Sequence, residues 1–166
     1  MDFKIRKATL DDVHQIAEAH LDSIRSIGPQ YYPEEVVNEW AALVCPEMYI
    51  HAIKDGEVFF IAESANDVLG FSSHRVDDGV HGVSVYVRGG AARQGIGSAL
   101  LRSAERSAIQ AGAQSILIDA SLAAVDFYKL QGFKEILRGE HLLSSGNSMP
   151  CVFMRKELKD DSRGPI

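Results

Sequence analysis

The residues best suited to chemistry lie in one stretch, Val87 to Leu101, which reads V-R-G-G-A-A-R-Q-G-I-G-S-A-L-L. The apolar run Val83-Ser84-Val85-Tyr86-Val87 leads into it, and an amphipathic run beginning Ser98-Ala99-Leu100-Leu101 leaves it. Strand, glycine-rich loop and helix in that order bring free backbone N–H groups and the positive end of a helix dipole to one point. Such a point attracts a phosphate or pyrophosphate. The same pattern also serves as a plain connection between two core elements, and the loop alone does not choose between these. Dinucleotide and P-loop chemistry are excluded: position 100 is Leu where G-x-G-x-x-G needs its third Gly, and no Lys-Ser/Thr pair follows.

Other reactive side chains form weaker patterns. The six histidines show no metal-ligand spacing and no carboxylate cluster accompanies them, so no metal is expected. Cys45 and Cys151 are far apart, match no ligand spacing, and read as two buried thiols. Tyr31, Tyr32 and Trp40 form the densest aromatic patch outside the core strands. They read either as packing or as one wall of an acceptor pocket.

The elements that must position these residues follow from periodicity. Phe3 to Ala8 alternates apolar and charged residues, as a half-buried strand does. Thr9 then caps a helix carrying Val13, Ile16, Ala17, His20, Leu21 and Ile24, which ends near Gly28-Pro29. Pro33 and Glu34-Glu35 start a second helix that stops by Cys45-Pro46. Ile50 to Lys54 reads as a short strand. Glu57–Glu63, Val68–Val76 and Val80–Val87 are strands joined by short turns, hence antiparallel neighbours. After the glycine loop, a helix runs to Gly112 and a buried strand spans Ser115–Asp119. A strand–helix–strand crossover makes that last pair parallel. Ala123–Leu130 is a short helix, and Phe133–Arg138 pairs with Met149–Leu158 as a final hairpin.

The chain has 166 residues, which fits one domain at residues 1–159 followed by a polar tail at 160–166. Apolar residues make up 46% and charged residues 24%, the balance of a soluble globular protein. A net charge of −6 disfavours general binding to nucleic acid or to an anionic membrane. The N-terminus lacks the apolar core of a signal peptide, and no apolar run is long enough to span a bilayer, so a cytoplasmic location is expected.

Two segments together resemble the GNAT family of acyl-CoA-dependent N-acetyltransferases. One is the strand–loop–helix around Arg93-Gln94-Gly95-Ile96-Gly97-Ser98. The other is Ser121-Leu122-Ala123-Ala124-Val125-Asp126-Phe127-Tyr128-Lys129-Leu130-Gln131-Gly132-Phe133, similar to the family's pattern of Asn-x-x-Ala, an aromatic with Tyr, and Gly-Phe. The element order β-α-α-β-β-β-α-β-α-β-β also matches, so the resemblance covers nearly the whole chain. It implies an α+β fold: a mostly antiparallel twisted sheet of about six or seven strands with about four flanking helices. It further implies a V-shaped splay between the parallel strands Val80–Val87 and Ser115–Asp119.

The resemblance implies that acetyl-CoA is the co-substrate and lies in that gap. Its pantetheine arm would pair with backbone of Val85, Tyr86 and Val87, and its pyrophosphate would sit on amides of Arg93, Gln94, Gly95, Ile96, Gly97 and Ser98. Ser121 stands where the family commonly has Asn. Ala92 and Arg93 replace a usual Arg or Gln followed by Gly, and Gly89-Gly90 precede the loop where Pro is common. Arg93 or Arg88 is then a candidate for the lost contact, and a weaker CoA affinity is the competing consequence. Tyr128 matches the family tyrosine that acts as general acid toward the leaving thiolate. A family glutamate that acts as base maps onto His81, with His74, Asp119 and Glu63 as weaker candidates and ordered water as the alternative. The acceptor is then a primary amine of a small molecule or protein, chosen near Tyr31, Tyr32 and Trp40. The family often forms homodimers. A non-catalytic acyl-CoA-binding module is the reading of another class, and a nucleotide-phosphate binder a more distant one.

Overall fold

The computed structural model describes residues 2–159; the tail at 160–166 lies outside them. Seven strands form one sheet in the order β1-β2-β3-β4-β5-β7-β6. They are β1 Lys4–Lys7, β2 Val58–Ser64, β3 Asp67–Asp77, β4 Val80–Val87, β5 Ser115–Ser121, β6 Lys134–Leu142 and β7 Ser148–Glu157. Every neighbouring pair is antiparallel except β4 and β5. Five helices cover the sheet: α1 Val13–Ile27, α2 Glu34–Ala42, α3 Pro46–Lys54, α4 Ile96–Gln110 and α5 Val125–Leu130. This is the α+β architecture expected from the sequence, with one helix more than the four anticipated.

The extra helix is a correction. Ile50–Lys54 is the second half of α3, not a strand. Five residues, with Ile50, Ala52 and Ile53 apolar, are too few to separate the two periods. Pro46 at the first helical position and Glu47 in the first turn start the helix, and the fully packed Tyr49 anchors it against Phe59 and Phe71. A second correction concerns the thiols: Cys151 is buried, but Cys45 is exposed at the start of α3. The final hairpin is also longer than read, because β6 continues to Leu142.

The two faces of the sheet have separate cores. On one face α4 places Leu101, Ala104 and Ala108 against Val83, Ile116 and Ile118, and Tyr128 of α5 joins this cluster. On the other face α1 and α3 place Ile16, Ala17 and Tyr49 against Phe59, Ile61 and Phe71. The capping box of Thr9 and Asp12 starts the 3-10 turn Leu10–Asp12 that leads into α1, and Arg6 on β1 grips both Asp12 carboxylate oxygens at 2.8 and 2.9 Å.

Side chains along β4 therefore split by parity. His81, Val83 and Val85 face α4, while Gly82, Ser84 and Tyr86 face α1 and α3. The register Phe71↔Tyr86, Ser73↔Ser84 and Arg75↔Gly82 puts the second set opposite its partners on β3. Strands β4 and β5 meet at a single parallel pair, Gly82↔Leu117. Past it they part, and the edge of β4 from Val85 to Val87 has no strand partner on that side among the described residues.

Candidate active site

Two cavities open in the gap between β4 and β5. The larger, of about 540 Å³, runs from the β4 edge at Val85, Tyr86 and Val87 to the glycine loop at Arg93, Gly95, Gly97 and Ser98. Ser121, Ala124 and Phe127 close its far wall. The smaller, of about 210 Å³, holds Arg75, Ser84, Asp119, His141 and Tyr128. Val85, Tyr86, Ser121 and Ala124 line both, so the cavities share a wall at the throat of the V.

The loop is shaped for close approach to an anion. Gly95 has φ +80°, a left-handed conformation that side chains rarely adopt, and it turns the chain into the first turn of α4. Ile96 is fully buried in the core beneath, so only its backbone N–H remains for a ligand. A Cβ on Gly97 would stand 3.2 Å from the Phe127 ring, which explains the bare backbone there. Donor amides at a helix N-terminus with a glycine-flattened surface suit an anion such as a phosphate. Gln94 is exposed and does not line the groove. The Ser98 hydroxyl lies on the groove and accepts a hydrogen bond from Gln131 Nε2 at 3.0 Å.

The structure distinguishes the two arginines. Arg88 points away: its Nε donates to the Val68 carbonyl at 2.7 Å, and Nη2 lies 3.7 Å from Glu18 on α1. Arg93 lines the groove, with a left-handed φ of +61°. Of the two, Arg93 alone borders the large cavity.

Tyr128 is buried between Phe127 and Phe133, with a lining position in the smaller cavity. Burial holds its phenol well above the ordinary range, reinforced by the nearby Tyr86 and opposed by the Val85 backbone amide. The group therefore carries its proton at neutral pH. Tyr86, on the opposite wall, is pushed up to about 12 by burial, with Arg75 pulling it down and Asp119 among the groups pushing it up. His20 packs against Tyr86 with ring centroids 3.9 Å apart and the planes tilted by 41°, and it hydrogen-bonds Tyr49 through Nδ1.

The structure does not bring His81 to this cleft. His81 faces α4, with its Nδ1 2.9 Å from His74 Nε2, and His74 Nδ1 is 2.9 Å from the Ser107 hydroxyl. The two imidazoles stack at 9° near the closed end of the V, and His81 lines a separate depression with Ser115 and Arg155. His81 shares its face with Val83 and Val85, which do line the cavity beside Tyr128, but it precedes the Gly82↔Leu117 pair that closes the V and so lies outside that cavity. Glu63 is also remote, bound at the sheet edge by Lys4 and Arg6. Of the weaker base candidates Asp119 alone lies in the cleft, with His141 Nε2 3.9 Å from its carboxylate.

The aromatic patch divides as well. Tyr31 and Trp40 line the large groove beside the glycine loop. Tyr32 is buried, and its hydroxyl donates to the Pro150 carbonyl at 2.6 Å while accepting from the Leu122 amide at 2.8 Å. With both functions of the hydroxyl used, Tyr32 packs the wall instead of facing a ligand. Arg75, Ser84 and His141 are the cleft residues that sequence reasoning missed. Their convergence depends on strand register, which no local pattern displays.

Residues 28–158 match the family model described as the acetyltransferase (GNAT) domain. An N-alpha-acetyltransferase of Sulfurisphaera tokodaii is 26% identical over 162 residues, spanning 87% of this chain and 88% of that protein. A GCN5-related N-acetyltransferase from Rhodopseudomonas palustris superposes with a TM-score of 0.85 at 24% identity, over 95% of this chain and 97% of that one. PaiA N-acetyltransferase from Thermoplasma acidophilum, solved with coenzyme A, superposes with a TM-score of 0.76 at 19% identity, over 95% and 100% of the two chains. With the splayed β4–β5 pair and the glycine loop already in place, the family match makes this chain an acyltransferase of the GNAT family.

Proposed function

We propose that the protein transfers the acetyl group of acetyl-CoA to a primary amine by direct attack within a ternary complex. The observation that carries this reading is the junction of the two cavities, where the free β4 edge, Tyr128 and the acceptor-side Asp119 meet. The loop amides of residues 93–98 hold the pyrophosphate, with Arg93 as the added cation. The β4 edge at Val85–Val87 pairs with the pantetheine, and one of its N–H groups stabilises the oxyanion that forms on the thioester carbonyl.

The acceptor enters through the smaller cavity as an ammonium ion. Asp119 and His141 draw it in and, through water, take one proton from it. The amine nitrogen then bonds to the carbonyl carbon, the C–S bond breaks, and Tyr128 Oη gives its proton to the leaving sulfur. Of the two protons still on nitrogen, one passes through solvent to the phenolate and the other stays as the amide N–H, so the products are the N-acetyl amine and free CoA thiol. The relative from Sulfurisphaera is named for an α-amine acceptor, which supports a primary amine here. A cytoplasmic enzyme accords with the exposed free thiol of Cys45.

The test is thiol release from acetyl-CoA with a broad panel of amines. At least one primary amine is expected to release thiol and gain an acetyl group by mass. CoA binding without turnover of any amine would instead leave an acyl-CoA-binding module.

A further inference from the structure

The smaller cavity carries charges of both signs, and their arrangement identifies more than an amine site. Arg75 on β3 pairs in register with Gly82 on β4, at the apex where β4 meets β5. A Cβ at position 82 would lie 3.2 Å from Cζ, 3.3 Å from Nη2 and 3.4 Å from Nε of Arg75. The bare glycine thus serves as a shelf on which the flat guanidinium lies. Among the described residues Arg75 has no carboxylate partner, as is also true of Arg25, Arg93, Arg102 and Arg106; of these, Arg75 is the one that lines this cavity, with its residue exposed at the mouth. Its side chain is placed across the strand from Ser84's face. The negative element, Asp119 with His141 beside it, stands on the other wall.

We infer that the acceptor is a small amino carboxylate, whose carboxylate is held by Arg75 while its amine is held toward Asp119 and Tyr128. This rests on the transfer reading above and deepens it. A guanidinium presents a planar fork that matches a carboxylate in two parallel hydrogen bonds, which a lone ammonium would not provide. The cavity's 210 Å³ lies below the roughly 300–1,000 Å³ of sites for drug-sized ligands, so the part of the acceptor between Arg75 and Asp119 is no larger than a small amino acid. A cation at the apex and an anion on the far wall also fix polarity: a diamine or polyamine would bring a second positive charge onto Arg75. The Ser84 hydroxyl, 2.7 Å from that of Ser73, lies between the apex and Tyr86 on the same face and can meet the acceptor's middle.

The experiment compares acceptor pairs that differ in one group. Free amino acids such as L-alanine are set against their carboxamides, and against short peptides with a free N-terminus and an acidic second residue. The wild type is expected to favour the acid over the amide by about threefold to tenfold in kcat/KM, since Arg75 is exposed and its charge is partly screened. In Arg75→Gln that ratio falls toward one. Gly82→Ala keeps the charge and shifts the guanidinium by only a few tenths of an ångström, so the ratio falls by less there than in Arg75→Gln, with thermal melting confirming that each variant folds. Binding of the same acids and amides to the enzyme–CoA complex by calorimetry reads recognition without turnover. Should no amine be acetylated, the transfer reading fails, yet binding of the acid in preference to the amide still upholds Arg75's role. Equal use and equal binding of acid and amide by the wild type, or turnover confined to the peptides, overturns the inference.

Discussion

The hydroxyl of Tyr32 accepts a hydrogen bond from the backbone N–H of Leu122 at 2.8 Å, linking the chain ahead of α2 to the first residue past β5. Its own proton goes to the Pro150 carbonyl on β7. One side chain thus fastens the wall of the cleft immediately beyond Ser121. Tyr32→Phe leaves a buried amide and carbonyl without their partner, at a cost of about 1–3 kcal/mol. Urea denaturation is expected to show this loss. Acetyl-CoA affinity should weaken with it, because Ser121 and Ala124 flank the released segment.

Tyr128→Phe separates proton donation from binding. The ring stays between Phe127 and Phe133, so the core and groove persist. Loss of the proton donor is expected to lower kcat by about 10²–10⁴-fold. The dissociation constant of acetyl-CoA, measured by calorimetry, should move far less. An unchanged kcat across the pH range would take Tyr128 out of the acid role.

His81 and Asp119 offer opposite outcomes. His81 is bound to His74 outside the cavity, so His81→Ala should retain the acid limb of the pH–rate profile and lose about 1 kcal/mol of stability from the broken hydrogen bond. Asp119→Asn should alter that limb, because its carboxylate faces the acceptor cavity. Disappearance of the limb in His81→Ala alone would restore His81 as the base.

These contrasts mark how far the sequence could be read. The glycine loop and the segment from Ser121 to Phe133 are contiguous, so their chemistry shows in local spacing, and the strands joined by short turns have no freedom of pairing. Arg75, Ser84 and His141 reach one cavity only through the register of β3 on β4 and the extension of β6 to Leu142. His81 lies outside the cavity by position and not by face, because the Gly82↔Leu117 pair closes the V between it and Val83, and that pairing does not show in a count from the loop. Ile50–Lys54 failed on length, because five residues fit both periods. Arg88 and Arg93 were inseparable until α1 supplied Glu18 as the partner of the first.

That last pair gives a binding test. Arg93→Ala is expected to weaken CoA several-fold, consistent with one phosphate contact of about 1 kcal/mol. Arg88→Ala should leave CoA affinity near wild type while lowering stability, because it removes the donor to the Val68 carbonyl. Calorimetric titration with CoA and urea denaturation of both variants read the two effects. Stronger loss of CoA binding in Arg88→Ala would reverse the assignment.

His20 makes stability depend on pH. Burial lowers its pKa from 6.5 to about 3. Its Nδ1 is bonded to the Tyr49 hydroxyl, its ring faces Phe71 and Tyr86, and its Nε2 is buried with no partner among the described residues. No carboxylate is among these contacts to favour a charged ring, so the folded protein keeps His20 neutral. The unfolded chain binds a proton at the ordinary pKa, so below 6.5 the unfolded state holds one proton more than the folded state. Stability is unaffected by His20 above that point and falls as pH drops from 6.5 toward 3, by up to about 1.4 kcal/mol per pH unit. Asp12, whose carboxyl is held below its ordinary range by Arg6, adds a loss only at lower pH. Burial and the neighbouring His81 also lower His74, so urea denaturation between about pH 7 and about pH 5 reads the two histidines together, and only the part that His20 contributes is removed by its substitution. His20→Gln, which can still bond Tyr49, is expected to make that slope shallower. An equally steep slope in the variant would assign the dependence to another group.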